Sequence, residues 1–120
     1  MNRVLLAETR SDVRSALRLL LEQNPQIAVT NEVAHSSDIS PEICGEFADW
    51  VVLDWEMPGL NPARLVASIR EKFAGLKILA IGSKPISRTE SLKAGVDAFV
   101  SKADAPEKLV EAIQSFLANS

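Results

Sequence analysis

Two carboxylates and one amine stand where apolar stretches of this sequence end. Glu8 follows the run Val4-Leu-Leu-Ala7, Asp54 follows Val51-Val-Leu53, and Lys102 lies at the end of the run that includes Phe99 and Val100. Carboxylate oxygens are the hard ligands that Mg²⁺ prefers, and a lysine ammonium balances the charge of an anion. If the fold brings these three residues together, they form a charged pocket suited to Mg²⁺ and to an anionic group.

The elements that position these residues follow from the hydrophobic pattern. Short apolar runs predict strands at 3–7, 27–30 (extending to about 34), 50–53, 77–81 and 96–100. Helical spacing predicts a first helix capped by Ser11 or Asp12, and prolines predict helices that begin at Pro41, Pro62, Pro85 and Pro106. Strand and helix alternate throughout, which favours one doubly wound sheet of five parallel strands with helices on both faces.

In such a sheet the ligand site lies beyond the carboxyl ends of the strands. Glu8 and Thr9 follow the first predicted strand, Asp54 the third, Gly82 and Ser83 the fourth, and Lys102 the fifth. We therefore expect these residues to gather at one edge of the sheet, and a salt bridge between Glu8 and Lys102 is a plausible result. Taken alone, Asp54 is equally well explained as a loop cap, because aspartate is common at the start of loops.

Composition bounds the class of protein. The 120 residues, of which 47% are hydrophobic and 24% charged, predict one globular domain spanning residues 1–120. The net charge is −3 and no basic block stands out, so the sequence does not indicate direct nucleic-acid binding. One cysteine, Cys44, excludes an intrachain disulfide. The apolar runs are too short for a membrane span and Met1-Asn2-Arg3 begins no signal peptide, so we expect a cytoplasmic location.

Several enzyme and cofactor classes lack their motifs. No GxGxxG or GxxxxGK[ST] pattern follows any predicted strand, which argues against dinucleotide and P-loop nucleotide binding. The single histidine, His35, lies in a polar loop region and is best explained as a surface residue. A flavodoxin-like cofactor site remains as an alternative, although Glu8 places a carboxylate where a bound phosphate would lie.

The stretch VVLDWEMPGLN (51–61) resembles the LDxxMPG phosphoacceptor motif of the receiver domains of two-component response regulators. The segment KILAIGS (77–83), followed by AGVDAFVSK (94–102), resembles the fourth strand, fourth helix and fifth strand of that family, ending at the family's lysine. The resemblance covers essentially the whole chain. It implies a flavodoxin-like sheet with strand order 2-1-3-4-5 and a signalling domain that is not a turnover enzyme.

The resemblance also implies roles for individual residues. Asp54 would be the phosphoacceptor, Lys102 would pair with a phosphoryl oxygen, and Phe99 would be the aromatic switch residue. Mg²⁺ would be held by Asp54, by the backbone carbonyl of Glu56 and by Glu8, with Thr9 as a weakened position. The implied partners are a histidine kinase or phosphotransfer protein, and a second copy through the face formed by the fourth helix, the fifth strand and the fifth helix.

Two positions depart from the family pattern. Thr9 stands where the family has a second acidic residue that binds the metal directly, so we expect weakened Mg²⁺ binding. At the family's switch position, Gly82 stands where a serine or threonine hydroxyl is usual. Ser83, one place later, aligns with a small residue whose backbone N–H the family uses, and it could supply a hydroxyl only if the loop is displaced. Two hypotheses therefore remain: a receiver that is phosphorylated on Asp54, and a pseudo-receiver that acts as an interaction module without phosphorylation. Trp55, next to the acceptor, is predicted to lie partly exposed at the pocket rim.

Overall fold

The computed structural model describes residues 1–118, in which five strands alternate with five α-helices. The strands are β1 (Asn2–Ala7), β2 (Ile27–Val33), β3 (Trp50–Asp54), β4 (Lys77–Gly82) and β5 (Ala98–Ser101). The helices are α1 (Ser11–Glu22), α2 (Pro41–Phe47), α3 (Pro62–Lys72), α4 (Pro85–Ala94) and α5 (Pro106–Ala118). A 3₁₀ turn, Ser36–Asp38, lies between β2 and α2.

The sheet has the predicted topology. Its strand order is β2-β1-β3-β4-β5, and every neighbouring pair is parallel. The chain winds outward from β1 to β2 and then crosses back to β3, so the direction of winding changes between β1 and β3. In doubly wound sheets ligands bind at this change, beyond the carboxyl ends of the strands. The predicted fold class is therefore confirmed, and Glu8 and Asp54 flank the expected ligand position.

Two apolar layers hold the sheet between the helices. Alternation along β3 sends Leu53 toward the layer under α2 and α3, and sends Trp50 toward the layer under α1 and α5. The Trp50 ring meets Phe116 of α5 edge-on, with 5.3 Å between ring centroids. Complete burial of a leucine or isoleucine side chain contributes roughly 1.5–3 kcal/mol. The strands that carry the charged residues are thus fixed from both sides.

Several strand boundaries differ from the predicted ones by one or two residues, and three of these differences bear on the site. β3 includes Asp54 and β4 includes Gly82, whereas β5 begins at Ala98 rather than Val96. The later start of β5 has a local cause, since Gly95 closes α4 with a positive φ of 105° and Asp97 first bridges to Ile78. Asp54 and Gly82 consequently have their backbones in the sheet, which positions them more firmly than a loop would.

The predicted cap of α1 is wrong. The N-cap position is Arg10, which has no side-chain cap hydrogen bond, and neither Ser11 nor Asp12 takes that place. The Asp12 carboxylate instead accepts a hydrogen bond from the Arg10 guanidinium at 2.8 Å, with both side chains exposed. Asp12 is therefore engaged on the surface.

Helix α4 packs against the rest of the chain through polar side chains. The side chains that it buries are Ser87 and Ser91, while Ile86 and Leu92 are exposed. A surface helix ordinarily buries its apolar stripe and exposes its polar residues. The position of α4 therefore depends on polar contacts at its N-terminus to a greater extent than on apolar packing.

Candidate functional site

Glu8, Asp54 and Lys102 come together at the carboxyl edge of the sheet. The Lys102 Nζ lies 3.1 Å from Glu8 Oε1 and 3.3 Å from Asp54 Oδ1. Glu8 is 0% exposed and Asp54 is 4% exposed, while the lysine side chain remains partly open to solvent. Ninety-four residues separate Glu8 from Lys102, so the parallel sheet is what places them in contact. The salt bridge expected between them is present.

The buried position of these charges changes their protonation. Burial, together with a hydrogen bond to Asp54, raises the pKa of Glu8 to about 7 against the opposing effect of Lys102. Burial alone would lower the pKa of Lys102, but the hydrogen bond to Glu8 and the charges of Asp54 and Glu8 raise it. The site therefore holds a cation whose charge is secure and a carboxyl group, Glu8, that titrates near neutral pH.

The raised pKa of Glu8 predicts a pH-dependent stability. Between about 4.5, the ordinary value, and about 7, the folded chain keeps a proton that the unfolded chain has released. The free energy of unfolding therefore falls as the pH rises through this window, by on the order of 3 kcal/mol. Urea denaturation with a chelator present, at about pH 5 and about pH 8, measures the difference.

The variant Glu8→Gln carries no proton to lose, and we expect its free energy of unfolding to change less over the same pH range. Glu46→Gln removes an exposed glutamate and is the matched control, which should keep the slope of the wild type. Equal slopes for wild type and Glu8→Gln would show that Glu8 titrates normally in the folded chain.

The loop from β1 to α1 carries Glu8 and Thr9, and the Arg14 side chain binds the backbone of this loop. The Arg14 guanidinium donates to the backbone carbonyl oxygens of Glu8, at 2.9 Å, and of Thr9, at 3.4 Å. It also pairs with Glu32 at the end of β2, at 3.1 Å. Sequence reasoning missed Arg14, although an arginine one turn into the helix after an acidic loop is a usable signal. The Thr9 hydroxyl oxygen is buried and has no hydrogen-bond partner among the described residues.

Few oxygen ligands for a divalent cation lie at this edge of the sheet. The described residues include no cluster of three or more histidine, cysteine, aspartate or glutamate side chains suited to a metal. What the edge offers is the two carboxylates of Glu8 and Asp54 and the unpartnered hydroxyl of Thr9. These are hard oxygen ligands, so their chemistry fits Mg²⁺, with one formal negative charge fewer than a third carboxylate would give.

The loop between β4 and α4 is bound to the side chain of Glu56. The Glu56 carboxylate accepts hydrogen bonds from the Ser83 N–H at 2.8 Å, the Ser83 hydroxyl at 2.6 Å and the Lys84 N–H at 3.0 Å. The buried Ser87 hydroxyl donates to the same carboxylate at 2.6 Å. The Ser83 hydroxyl therefore lies against Glu56. Sequence reasoning considered Glu56 only for its backbone carbonyl and missed both its carboxylate and Ser87.

Gly82 leaves space that its neighbours fill. A Cβ atom at this position would lie 2.7 Å from Glu56 Oε2, 3.0 Å from Ser87 Cβ and 3.2 Å from Phe99 Cε2. Phe99 is 8% exposed and belongs to the apolar layer under α2 and α3. The Arg88 guanidinium of α4 lies over its ring, 5.1 Å from the centroid. The absence of a side chain at position 82 is thus part of how Glu56, Ser87 and Phe99 pack.

The expected exposure of Trp55 is wrong. Trp55 is 5% exposed and lies in the apolar layer with Leu53 and Met57. Its backbone N–H donates to the Ile81 carbonyl at 2.8 Å, which continues the β3–β4 pairing and turns the ring inward. The indole N–H has no partner among the described residues, an arrangement that costs about 1–3 kcal/mol for a buried donor.

No helix within residues 1–118 combines the length and the apolar composition that crossing a membrane requires.

Comparison with known proteins gives consistent matches. A family model for the response regulator receiver domain matches residues 4–114. The response regulator UvrY of Escherichia coli K12 is 29% identical over 114 residues, which are 93% of this chain and 52% of UvrY. The nitrate/nitrite response regulator protein NarL of the same organism is 26% identical over 113 residues, covering 92% of this chain and 52% of NarL. The chain therefore spans about half the length of these curated relatives.

Solved structures give the same result for the fold. A LuxR-family two-component response regulator from Aurantimonas sp. SI85-9A1 has a TM-score of 0.87 and 28% identity, covering 99% of this chain and 86% of that one.

Proposed function

The chain belongs to the response regulator receiver domain family, and from this premise we propose that it receives a phosphoryl group on Asp54. The observation that carries the proposal is the contact of the Lys102 ammonium with both Asp54 and Glu8 at the strand ends. A buried carboxylate beside a secured cation is suited to nucleophilic attack on an anionic phosphoryl group, which depends mainly on positioning and charge neutralisation. The family is one of signalling domains and not a typical family of turnover enzymes.

The chain's own groups prepare the acceptor carboxylate. The Glu56 N–H donates to Asp54 Oδ1 at 3.0 Å, and Lys102 approaches the same oxygen. We assign Oδ2 as the attacking oxygen, because Oδ1 is already engaged by these two groups. A bond forms between this oxygen and phosphorus while the bond from phosphorus to the donor breaks, and the donor leaves with that electron pair. Lys102 then pairs with a phosphoryl oxygen as a point charge.

Mg²⁺ is the cofactor that we propose for this transfer. Asp54, Glu8, the Glu56 backbone carbonyl and the Thr9 hydroxyl would hold it. When bound, the ion neutralises charge on the phosphoryl oxygens. Because Thr9 supplies a neutral oxygen where a carboxylate would bind more strongly, we expect weak binding of Mg²⁺ by this chain.

The variant Thr9→Asp is expected to bind Mg²⁺ about tenfold more tightly, or better, since it adds a third carboxylate to the set. Isothermal titration calorimetry measures the affinity in both chains. Thr9→Val removes the buried hydroxyl at nearly constant volume and is the matched control, which should bind no more tightly than the wild type. An unchanged affinity in Thr9→Asp would exclude the β1–α1 loop from the metal site.

The proposed partners are a histidine kinase or a phosphotransfer protein as the phosphoryl donor and a second copy of the chain as the responding partner. The α4-β5-α5 face is the surface that we assign to the second copy, because α4 exposes Ile86 and Leu92 there.

A cytoplasmic location is part of the proposal, since the single cysteine, Cys44, is a buried free thiol that needs no oxidising compartment.

Beryllofluoride, a mimic of the phosphoryl group, tests the proposal. With Mg²⁺ present, we expect a bound fluorine NMR signal for the wild type and none for Asp54→Asn, which lacks the acceptor carboxylate. The variant Thr9→Asp should give the bound signal at lower Mg²⁺. Absence of a bound signal from both wild type and Thr9→Asp at saturating Mg²⁺ would overturn the assignment of Asp54.

A second candidate function is a pseudo-receiver that acts as an interaction module without phosphorylation. It is favoured by Thr9 at the metal position and by Gly82, which supplies no hydroxyl at the end of β4. In this case α4 would present the same surface at all times. Stoichiometric, Mg²⁺-dependent labelling of Asp54, together with a change in oligomeric state, would rule this candidate out.

A further inference from the structure

Four hydrogen-bond donors of the β4–α4 segment converge on one carboxylate. They are the Ser83 N–H, the Ser83 hydroxyl, the Lys84 N–H and the Ser87 hydroxyl, all within 2.6–3.0 Å of Glu56 oxygens. Convergent N–H and hydroxyl donors at a helix N-terminus form an arrangement that binds anions. Here the anion is supplied by the chain itself, and we call this group of donors the loop anion site.

The Glu56 carboxylate also completes helix α4. The N-cap residue Lys84 makes no side-chain cap hydrogen bond, and the first turn of α4 contains no acidic residue. Glu56 therefore provides both the acceptor and the negative charge that a helix N-terminus favours. Four hydrogen-bond donors meet its two oxygens, an environment that favours the charged carboxylate. The group is ionised at neutral pH.

The loop anion site lies beside the acceptor carboxylate. Asp54 is in register with Ile81, two residues before Ser83, and the next backbone N–H, of Trp55, donates to the Ile81 carbonyl. The Glu56 N–H donates to Asp54 Oδ1, so one residue touches the acceptor with its backbone and the loop with its side chain. The Lys102 N–H donates to the Gly82 carbonyl at 2.8 Å. The donors of the loop anion site and the acceptor carboxylate therefore lie at the same end of the neighbouring strands β4 and β3.

Two anions cannot share these donors without strong repulsion. A phosphoryl group brings a charge of about −1.5 to −2 at neutral pH, next to an ionised Glu56. The carboxylate lies in space that glycine leaves open, since a Cβ at position 82 would lie 2.7 Å from Oε2 and the carboxylate would have to shift on its donors. The positions of Gly82 and Glu56 therefore depend on each other, because the Glu56 carboxylate occupies space that a side chain at position 82 would fill.

We propose that Glu56 fills the loop anion site in the unphosphorylated chain, and that a phosphoryl group on Asp54 takes the Ser83 N–H from it. The second half of this inference rests on the proposed function, whereas the first half does not. Departure of Glu56 removes the acceptor and the charge from the N-terminus of α4. Because α4 buries Ser87 and Ser91 and exposes Ile86 and Leu92, loss of this contact loosens the helix and alters its exposed surface.

Amide NMR of the full chain tests the inference with acetate as the probe of the loop anion site. In Glu56→Ala, the Ser83 and Lys84 amide signals should shift saturably as acetate is added, because acetate replaces the missing carboxylate. The wild type and Glu90→Ala, which removes an exposed glutamate from α4, should show no such shift. Absence of the shift in Glu56→Ala would overturn the first half of the proposal.

Beryllofluoride binding in the presence of Mg²⁺ tests the second half. We expect Glu56→Ala to bind it about tenfold more tightly than the wild type, since the competing carboxylate is gone. Glu56→Gln keeps the size of the side chain without its charge, and it should also bind beryllofluoride more tightly than the wild type. It replaces Glu56→Ala in this test if Glu56→Ala does not fold. Equal affinities in wild type and both variants would overturn the competition.

The two failures are distinguishable. If no form of the chain binds beryllofluoride, the proposed function fails and the competition is overturned with it. The acetate titration still decides whether Glu56 fills an anion site.

Discussion

Replacing Lys102 with methionine is expected to reduce the rate of phosphoryl transfer to Asp54 by roughly 10²-fold or more. Lys102 is the cation that contacts both buried carboxylates, at 3.1 Å from Glu8 and 3.3 Å from Asp54. Removal of one preorganised positive group from a site where negative charge gathers has effects of this order. Labelling with acetyl phosphate and Mg²⁺, followed over time by mass spectrometry, measures the rate.

The same variant is expected to lose stability at pH values above about 7. Without Lys102, Glu8 and Asp54 face each other with no cation, and breaking a buried ion pair by removing one partner commonly costs about 3–5 kcal/mol. Protonation of Glu8, whose pKa is already about 7, relieves this repulsion at lower pH. Lys93→Met, on the exposed side of α4, is the matched control for loss of one positive charge. Labelling of Lys102→Met at the wild-type rate would contradict the role given to this lysine.

Gly82→Ala is expected to lower the free energy of unfolding by about 1–3 kcal/mol, although it adds a single methyl group. The new Cβ would lie 2.7 Å from Glu56 Oε2 and 3.0 Å from Ser87 Cβ. Glu56 would then have to leave donors that hold it in place. Gly75→Ala is the matched control, because a Cβ at Gly75 meets no atom of residues 1–118 within 4 Å. Urea denaturation measures both changes.

A double-mutant cycle shows whether Glu56 causes the loss. If the strain lies between the new methyl group and the carboxylate, Gly82→Ala should cost clearly less in a Glu56→Ala background than alone. Equal costs in the two backgrounds would mean that Ser87 or Phe99, and not Glu56, sets the requirement for glycine at this position.

The sequence predicted the sheet because its signals there are local and agree with one another. The apolar runs before Glu8 and Asp54 are short, and each is followed by a helix signal, so the parallel order leaves little choice about where the strand ends meet. That order places Glu8, Asp54 and Lys102 at one edge of the sheet. Because β3 and β4 lie between β1 and β5, the contact of Glu8 with Lys102 also depends on the reach of the lysine side chain.

The β4–α4 loop was not predictable in the same way. The direction of the Glu56 side chain depends on the loop backbone, on Ser83 and Ser87 as donors, and on the space left by Gly82. Sequence reasoning treated Gly82 as a missing hydroxyl and did not ask what would occupy the space. The buried serines of α4 and the inward Trp55 have a similar origin, since both depend on packing between elements and not on the pattern within one.

The most direct test of the central claim is the intact mass of the chain after incubation with acetyl phosphate and Mg²⁺. We predict a mass increase of one phosphoryl group that maps to Asp54, requires Mg²⁺, is absent in Asp54→Asn and is greater in Thr9→Asp. No mass increase in the wild type and none in Thr9→Asp, with both chains folded, would contradict the assignment of Asp54 as the phosphoacceptor.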